Sequence, residues 1–235
     1  MSLIRAVILD WAGTTVDQGS LAPVRSIQRV FARHGVTLSD ADVRRDMGLP
    51  KREHLKRVLA RLDTNAGKRD LDAYYAEFIP TQLELLREYS QLIPGVVEAV
   101  KDIRRRGIRI GSTTGYTPVM LGVLMPCART QGYEPDCAMT PEQAGGGRPH
   151  PFMMYMAAAT LQRYPLSAFV KVGDTPADID EGRNAGAWTV GVSKTGNSTA
   201  EELASAGADF VIDSVANIAP TLDEIDALLA AGRRP

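Results

Sequence analysis

The chain has 235 residues, of which 44% are hydrophobic and 23% charged, an ordinary balance for one soluble globular domain or a domain with an insertion. Its formal net charge of −1 gives no electrostatic case for nucleic acid or an anionic membrane, and no apolar run approaches the ~20 residues that span a bilayer. The start Met1-Ser2-Leu3-Ile4-Arg5 has neither the apolar stretch nor the cleavage site expected of a signal peptide. The two cysteines, Cys127 and Cys137, lack metal-site spacing and are expected to be free thiols.

In chain order, the first element is an apolar run, Ile4–Leu9, which predicts a buried strand ending at Asp10-Trp11-Ala12-Gly13-Thr14-Thr15. Residues 20–92 then read as consecutive helices: Val24–Arg33, Ala41–Met47, Arg52–Leu62 and Leu71–Tyr89. Ser39 and Asp42 carry a capping signal, and Pro80 is expected to kink or divide the last helix. Alternation follows, with strands at Ile108–Ser112, Cys137–Met139, Phe169–Val172, Trp188–Val192 and Phe210–Ile212. Between them lie helical patterns at Val96–Arg106, Pro118–Gln131, Phe152–Arg163 and Ile179–Ala185. The pattern predicts an α/β fold: a Rossmann-like parallel sheet core with helices on both faces, plus an inserted α-helical cap domain. The expected division is 1–19 and 93–235 for the core and 20–92 for the cap, with hinges near Gly19-Ser20 and Ile93-Pro94-Gly95.

Asp10 falls at the carboxyl end of the first strand, where open α/β sheets bind ligands. Beside a Gly turn whose Thr14 and Thr15 could hold an anion, its carboxylate is a candidate phosphoryl acceptor. The stretch Lys171-Val172-Gly173-Asp174-Thr175-Pro176-Ala177-Asp178 places Asp174 and Asp178 past another strand end. Carboxylates so gathered repel one another unless a hard cation joins them, and Mg²⁺ is the expected one. Thr113 and Thr114 end a third strand, and Arg148 can supply a fixed positive charge. The run Lys51, Arg52, Lys56, Arg57 and Arg61 reads, by itself, as the solvated basic face of a helix.

The ordered set of Asp10, Thr113-Thr114, Arg148 and Asp174/Asp178 resembles the haloacid dehalogenase superfamily over nearly the whole chain. One position departs from the common phosphatase form, in which a second Asp stands two residues after the nucleophile. Here it is Ala12, which cannot transfer a proton. Asp-Trp-Ala-Gly-Thr-Thr at 10–15 together with Met47-Gly48-Leu49-Pro50-Lys51-Arg52-Glu53-His54 is similar to the phosphonoacetaldehyde hydrolase family. That resemblance implies a Schiff base on Lys51, assisted by His54, and attack of Asp10 on phosphorus. It also implies Mg²⁺ on Asp10, the Ala12 carbonyl, Asp174 and Asp178. Thr114, Gly115, Arg148, Ser20 and Met47 become substrate contacts, with Ser20 standing where the family often has Cys. Further implications are a phosphonate substrate, a cytoplasmic location, and a homodimer through the cap. For the stretch Tyr74-Tyr75-Ala76-Glu77-Phe78 the choice lies between cap core and dimer contact. Two other readings compete: a phosphatase-like hydrolase of another phosphorylated metabolite, and a non-catalytic binding relative, suggested by Ala12.

Overall fold

Short, mostly buried segments form the strands β1 (Ala6–Leu9), β2 (Arg109–Thr113), β3 (Cys137–Met139), β4 (Phe169–Gly173), β5 (Trp188–Val192) and β6 (Phe210–Ile212). The computed structural model describes residues 2–62 and 70–235; residue 1 and residues 63–69, the latter within the expected cap, lie outside the described residues. All strand pairs are parallel, in the order β3-β2-β1-β4-β5-β6. The chain steps outward from β1 through β2 to β3, then returns to β4 on the other side of β1. This reversal is the topological switch point at which such sheets bind ligands. Leu9 pairs with Val172 and Ser112, so the loops after β1, β2 and β4 emerge side by side.

Strand alternation divides the core in two. Ala6 and Ile8 face a cluster with Met153, Met154, Ala157 and Leu161 of α8 (Phe152–Leu161) and Ala185 of α9 (Pro176–Ala185). Val7 and Leu9 face the larger cluster, with α5 (Val96–Arg105), α6 (Pro118–Thr130) and α11 (Ile218–Ala230). The same cluster runs on into α1 (Leu21–Arg33), α3 (Lys51–Leu62) and α4 (Leu71–Glu88) through Val24, Ile27, Phe31, Leu55, Phe78 and Leu85. Within the expected cap stretch, Tyr74 and Phe78 are buried, which is the core placement. The remaining helices are α2 (Asp40–Arg44), α7 (Pro141–Ala144) and α10 (Ala200–Ser205).

Several boundaries differ from the sequence expectation for local reasons. The first strand starts at Ala6 rather than Ile4, because the Ile4 N–H donates to Ser2 Oγ and Asp226 instead of to a neighbouring strand. Asp40–Arg44 ends three residues early, and the chain then turns through Gly48 at φ +87°; its start carries the expected Ser39–Asp42 capping box. Helix α9 begins three residues early, since Thr175 caps it and Pro176 suits the first turn. Pro80 does not divide α4, which is one 18-residue helix. Buried Tyr74, Phe78 and Leu85 on one face offset the lost hydrogen bond. Helices α7 and α10, of 4 and 6 residues, are too short to show a period. That of α11 is legible in Ile218, Leu222, Ile225 and Leu229.

The two connections between the helical insertion and the sheet lie side by side. Val16 pairs antiparallel with Leu92, the Asp17 N–H donates to the Gln91 carbonyl (3.0 Å), and that of Ile93 to Thr15 (2.9 Å). Left-handed residues flank this pairing at Asp17, Gly19, Ser20 and Gly95. They include the positions expected as hinges.

Candidate active site

The end of β1 delivers Asp10 and the end of β4 delivers Asp174, and α9 carries Asp178. One oxygen from each lies within 4.8 Å of the others, and all three are buried. Around them sit buried Glu181, Arg148 and Lys171. Arg148 Nη2 donates to Asp10 Oδ1 at 2.6 Å and to the Thr113 carbonyl at 2.7 Å, and its Nε to Glu181 at 3.1 Å. Lys171 Nζ donates to Asp178 Oδ1 at 2.7 Å. Sequence reasoning assigned no role to Lys171 or Glu181. The sign available was a lysine inside a fully buried strand, which requires an acidic partner.

Charge in this cluster is unbalanced: Asp10, Asp174, Asp178 and Glu181 face two strong cations. Burial and the repulsion of Asp10 and Asp178 push Asp174 up to about 8. Burial also raises Asp10, against the pull of Arg148. For Asp178 the burial penalty is outweighed by Arg148 and Lys171, which hold it below the usual range. A dication at Asp10 and Asp174 would relieve this imbalance, and hard oxygen donors suit Mg²⁺. Ala12, whose carbonyl accepts no hydrogen bond among the described residues, lies on the same cavity. Asp178 is already engaged by Lys171 and by the Thr175 hydroxyl (2.6 Å), so it fits a supporting place. Lys171→Met is expected to leave Asp178 and Glu181 underpaired and to cost about 3–5 kcal/mol of stability, read as a lowered denaturant midpoint with unchanged slope.

Lys51 reaches the site from the first turn of α3. It is 5% exposed, lies with Nζ 5.1 Å from the centroid of the Tyr116 ring, and makes no hydrogen bond or ion pair among the described residues. Burial lowers its pKa to about 8; Asp10 opposes the shift and Arg148 reinforces it. Lys51 and Asp10 share a cavity of about 20 Å³ with Ala12, Ser20, Met47, Gly48, Thr114, Gly115, Tyr116, Arg148 and Asp174. That volume holds about one water, and Met47 and Gly48 of the Met47–Pro50 loop form part of its wall. The loop is closely seated: a Cβ on Gly48 would collide with the Thr175 hydroxyl.

The remaining expected residues fall as follows. Thr114 lines the cavity, whereas the Thr113 hydroxyl turns to Glu181 (2.8 Å). Ser20 lines it too, its Oγ accepting from Asn197 Nδ2 at 2.7 Å. The hydroxyls expected to hold an anion are spent inside the turn: Thr15 donates to the Asp10 carbonyl (2.9 Å) and Thr14 to Asp174 (3.3 Å). His54 is fully buried behind Lys51 and off the cavity wall. Its Nε2 donates to the Val43 carbonyl at 2.8 Å, and Nδ1 has no hydrogen-bond partner among the described residues. Burial and the Lys51 charge lower its pKa to about 3, so it is neutral. Tyr116, missed in the sequence, lines the cavity with a buried hydroxyl that has no partner among the described residues.

The haloacid dehalogenase-like hydrolase family matches residues 4–186. The phosphonoacetaldehyde hydrolase of Nitratidesulfovibrio vulgaris is 39% identical over 99% of this chain and 94% of its own length. That of Bacillus cereus is 44% identical over 80% of this chain and 75% of its own. The crystal structure of a phosphonoacetaldehyde hydrolase like protein from Oleispira antarctica superposes with a TM-score of 0.93. It is 35% identical, covering 99% of this chain and 96% of that one. On full-length similarity, sheet order and the clustered carboxylates, this chain belongs to the haloacid dehalogenase-like hydrolases, and within them to the phosphonoacetaldehyde hydrolase family.

Proposed function

We propose that the protein hydrolyses phosphonoacetaldehyde to acetaldehyde and phosphate. The observation that carries this reading is the placement of a buried lysine, unpaired among the described residues, in one small cavity with Asp10, where Ala12 offers no acid. Lys51 Nζ adds to the aldehyde carbon; loss of water leaves a protonated imine. Asp10 then attacks phosphorus, the P–C bond breaks, and its electron pair flows into the imine to give an enamine. No alkoxide leaves, so no proton is needed from position 12. Protonation of the enamine and hydrolysis of the imine release acetaldehyde, and water cleaves the aspartyl phosphate on Asp10. Since Ala12 cannot activate that water, the freed Lys51 amine takes this part.

Thr114 and Arg148 hold phosphoryl oxygens, while Gly115, Ser20 and Met47 shape the space around the two-carbon chain. His54, one turn after Lys51 on α3, assists proton transfer during imine formation from behind the cavity wall, as the family resemblance implies. Mg²⁺ would be held by Asp10, the Ala12 carbonyl and Asp174, with Asp178 behind them, and supplies charge neutralisation at the phosphoryl group. The insertion 20–92 acts as a cap over the core 1–19 and 93–235. It opens at the paired linkers to admit substrate and closes to exclude water from the imine. The reading includes a cytoplasmic homodimer joined through the cap.

The test is release of acetaldehyde and phosphate from phosphonoacetaldehyde with Mg²⁺, beside a simple phosphate ester. Equimolar products from the first and none from the second are expected. Ester turnover without P–C cleavage points to a phosphatase, and silence on both points to a binding protein.

A further inference from the structure

Asn197, in the loop after β5, has every polar group of its side chain engaged. Nδ2 donates to Asp174 Oδ2 at 2.5 Å and to Ser20 Oγ at 2.7 Å, while Oδ1 accepts from Arg44 Nη1 at 2.6 Å. A guanidinium only donates, so Oδ1 must face Arg44 and the amide has one permitted orientation. Its backbone N–H also donates to Asp174 Oδ2, at 2.8 Å. That oxygen is therefore engaged twice by Asn197, which leaves Asp174 Oδ1, with only a long bond from the Thr14 hydroxyl (3.3 Å), as the oxygen available to a cation.

The loop around Asn197 is tied to the nucleophile turn and to the linker. Thr195 Oγ1 donates to the Gly13 carbonyl at 2.9 Å, and the Gly19 N–H donates to the Thr195 carbonyl at 2.8 Å. Gly196 permits this approach, since a Cβ there would collide with Asp174. Arg44 comes from α2, which leads directly into the Met47–Lys51 loop. Its Nη1 also donates to the Gly19 carbonyl, at 2.7 Å. Arg44 and Asn197 both line a groove of about 1280 Å³ between α2 and the α9–α10 side of the core, so the pair stands between that groove and buried Asp174.

We propose that Arg44 and Asn197 are positioning residues forming a latch between the Lys51-bearing insertion and the metal carboxylate Asp174. Asn197 fixes the carboxylate and Arg44 fixes Asn197, so seating the insertion organises the cation site. Linkage makes the effect reciprocal: a cation held in that geometry favours the seated insertion. The inference rests on reading Asp174 as a cation ligand. It does not depend on which substrate is cleaved.

The experiment is the Mg²⁺ dissociation constant from the Mg²⁺-dependent rise in Tm, without substrate. It compares wild type with Arg44→Met, Arg44→Lys, Asn197→Ala and the double variant Arg44→Met/Asn197→Ala. Arg44→Met keeps the stem and removes the donors; Arg44→Gln replaces it if it does not fold. Partners behind metal ligands are worth about 10–100-fold in affinity. Asn197→Ala is expected at the upper part of that range and Arg44→Met near ~10-fold. Arg44→Lys should recover part of the loss, and the double variant should bind no more weakly than Asn197→Ala alone. A dissociation constant within about twofold of wild type in either single variant overturns the latch, as do losses that multiply in the double variant or a wild type that binds no Mg²⁺. Because this readout uses no substrate, failure on phosphonoacetaldehyde would count against the proposed reaction and not against the latch.

Discussion

Asp10→Asn is expected to abolish phosphate release, by at least about 10⁴-fold in kcat, which corresponds to about 5.5 kcal/mol of lost transition-state stabilisation. An amide oxygen is a poor nucleophile toward phosphorus, and no other carboxylate on the cavity wall is placed to replace Asp10 without leaving a partner. Asp174 is held by Asn197 and Asp178 by Lys171. The substitution should not unfold the protein. Burial raises the pKa of Asp10, so between 3.8 and its folded value the native state binds more protons than the unfolded one. The group's contribution to stability falls as pH rises through that window, and above it the ionised form is a cost. Removing the charge relieves that cost and the repulsion on Asp174. Metal-free Tm at pH 7 should therefore not fall, while Mg²⁺ affinity drops. A variant that still releases phosphate at more than about a hundredth of the wild-type rate would refute attack by Asp10.

Lys51→Arg is expected to remove P–C cleavage to a similar extent, about 10⁴-fold or more. A guanidinium stays protonated in proteins and cannot form the imine. Borohydride added during turnover should reduce the imine to an N-ethyl group on Lys51 of wild type, visible in the peptide mass, and leave the variant unlabelled. With its pKa lowered to about 8, Lys51 carries a free amine in about one molecule in ten at pH 7, against fewer than ~1 in 1000 for an ordinary lysine. The rate should thus rise with pH along an acid limb ending near 8. Mg²⁺ bound at Asp10 and Asp174 would offset the two carboxylates that favour the ammonium and move that limb lower. The stability sign is opposite to that of a paired lysine. Between about 8 and 10.5 the folded chain binds fewer protons than the unfolded one, so stability rises with pH across that window, and below it the buried ammonium is a fixed penalty. Lys51→Met should raise Tm at pH 7 while destroying turnover. Turnover with a flat pH profile between 6 and 9 would argue against an amine nucleophile.

How much of this was legible depended on the range of the interaction. Ala6–Leu9 announces itself because four adjacent apolar residues have no other use, and Phe169–Gly173 does so through Phe169, Val170 and Val172 around a single lysine. The Ser39–Asp42 cap closes over three residues. Asp10, Asp174 and Arg148 were legible as candidates, since strand ends and loop cations are local features. Their mutual pairing was not: Arg148 meets Asp10 across 138 positions. Tyr116 and Asn197 had no pattern to mark them, because a tyrosine after a strand and an asparagine in a loop are ordinary until something faces them. Of the two outcomes expected at Pro80, a kink or a division, the division does not occur, because the buried face of α4 continues past it.

The sequence by itself determined the strand set, the helical insertion between β1 and α5, the chemical types gathered at strand ends, and the family. The first three follow from periodicity, turn chemistry and spacing, which act over a few residues; the family follows from the resemblance of the ordered motifs. Tertiary structure alone decided that Lys51 is a buried, unpaired amine rather than one charge on a basic helix face. It also decided that Thr114 and not Thr113 faces the cavity, and that Asp174 answers to Arg44 through Asn197. Those outcomes depend on desolvation and on contacts between elements tens to hundreds of residues apart, and no local pattern encodes the dielectric surrounding a side chain.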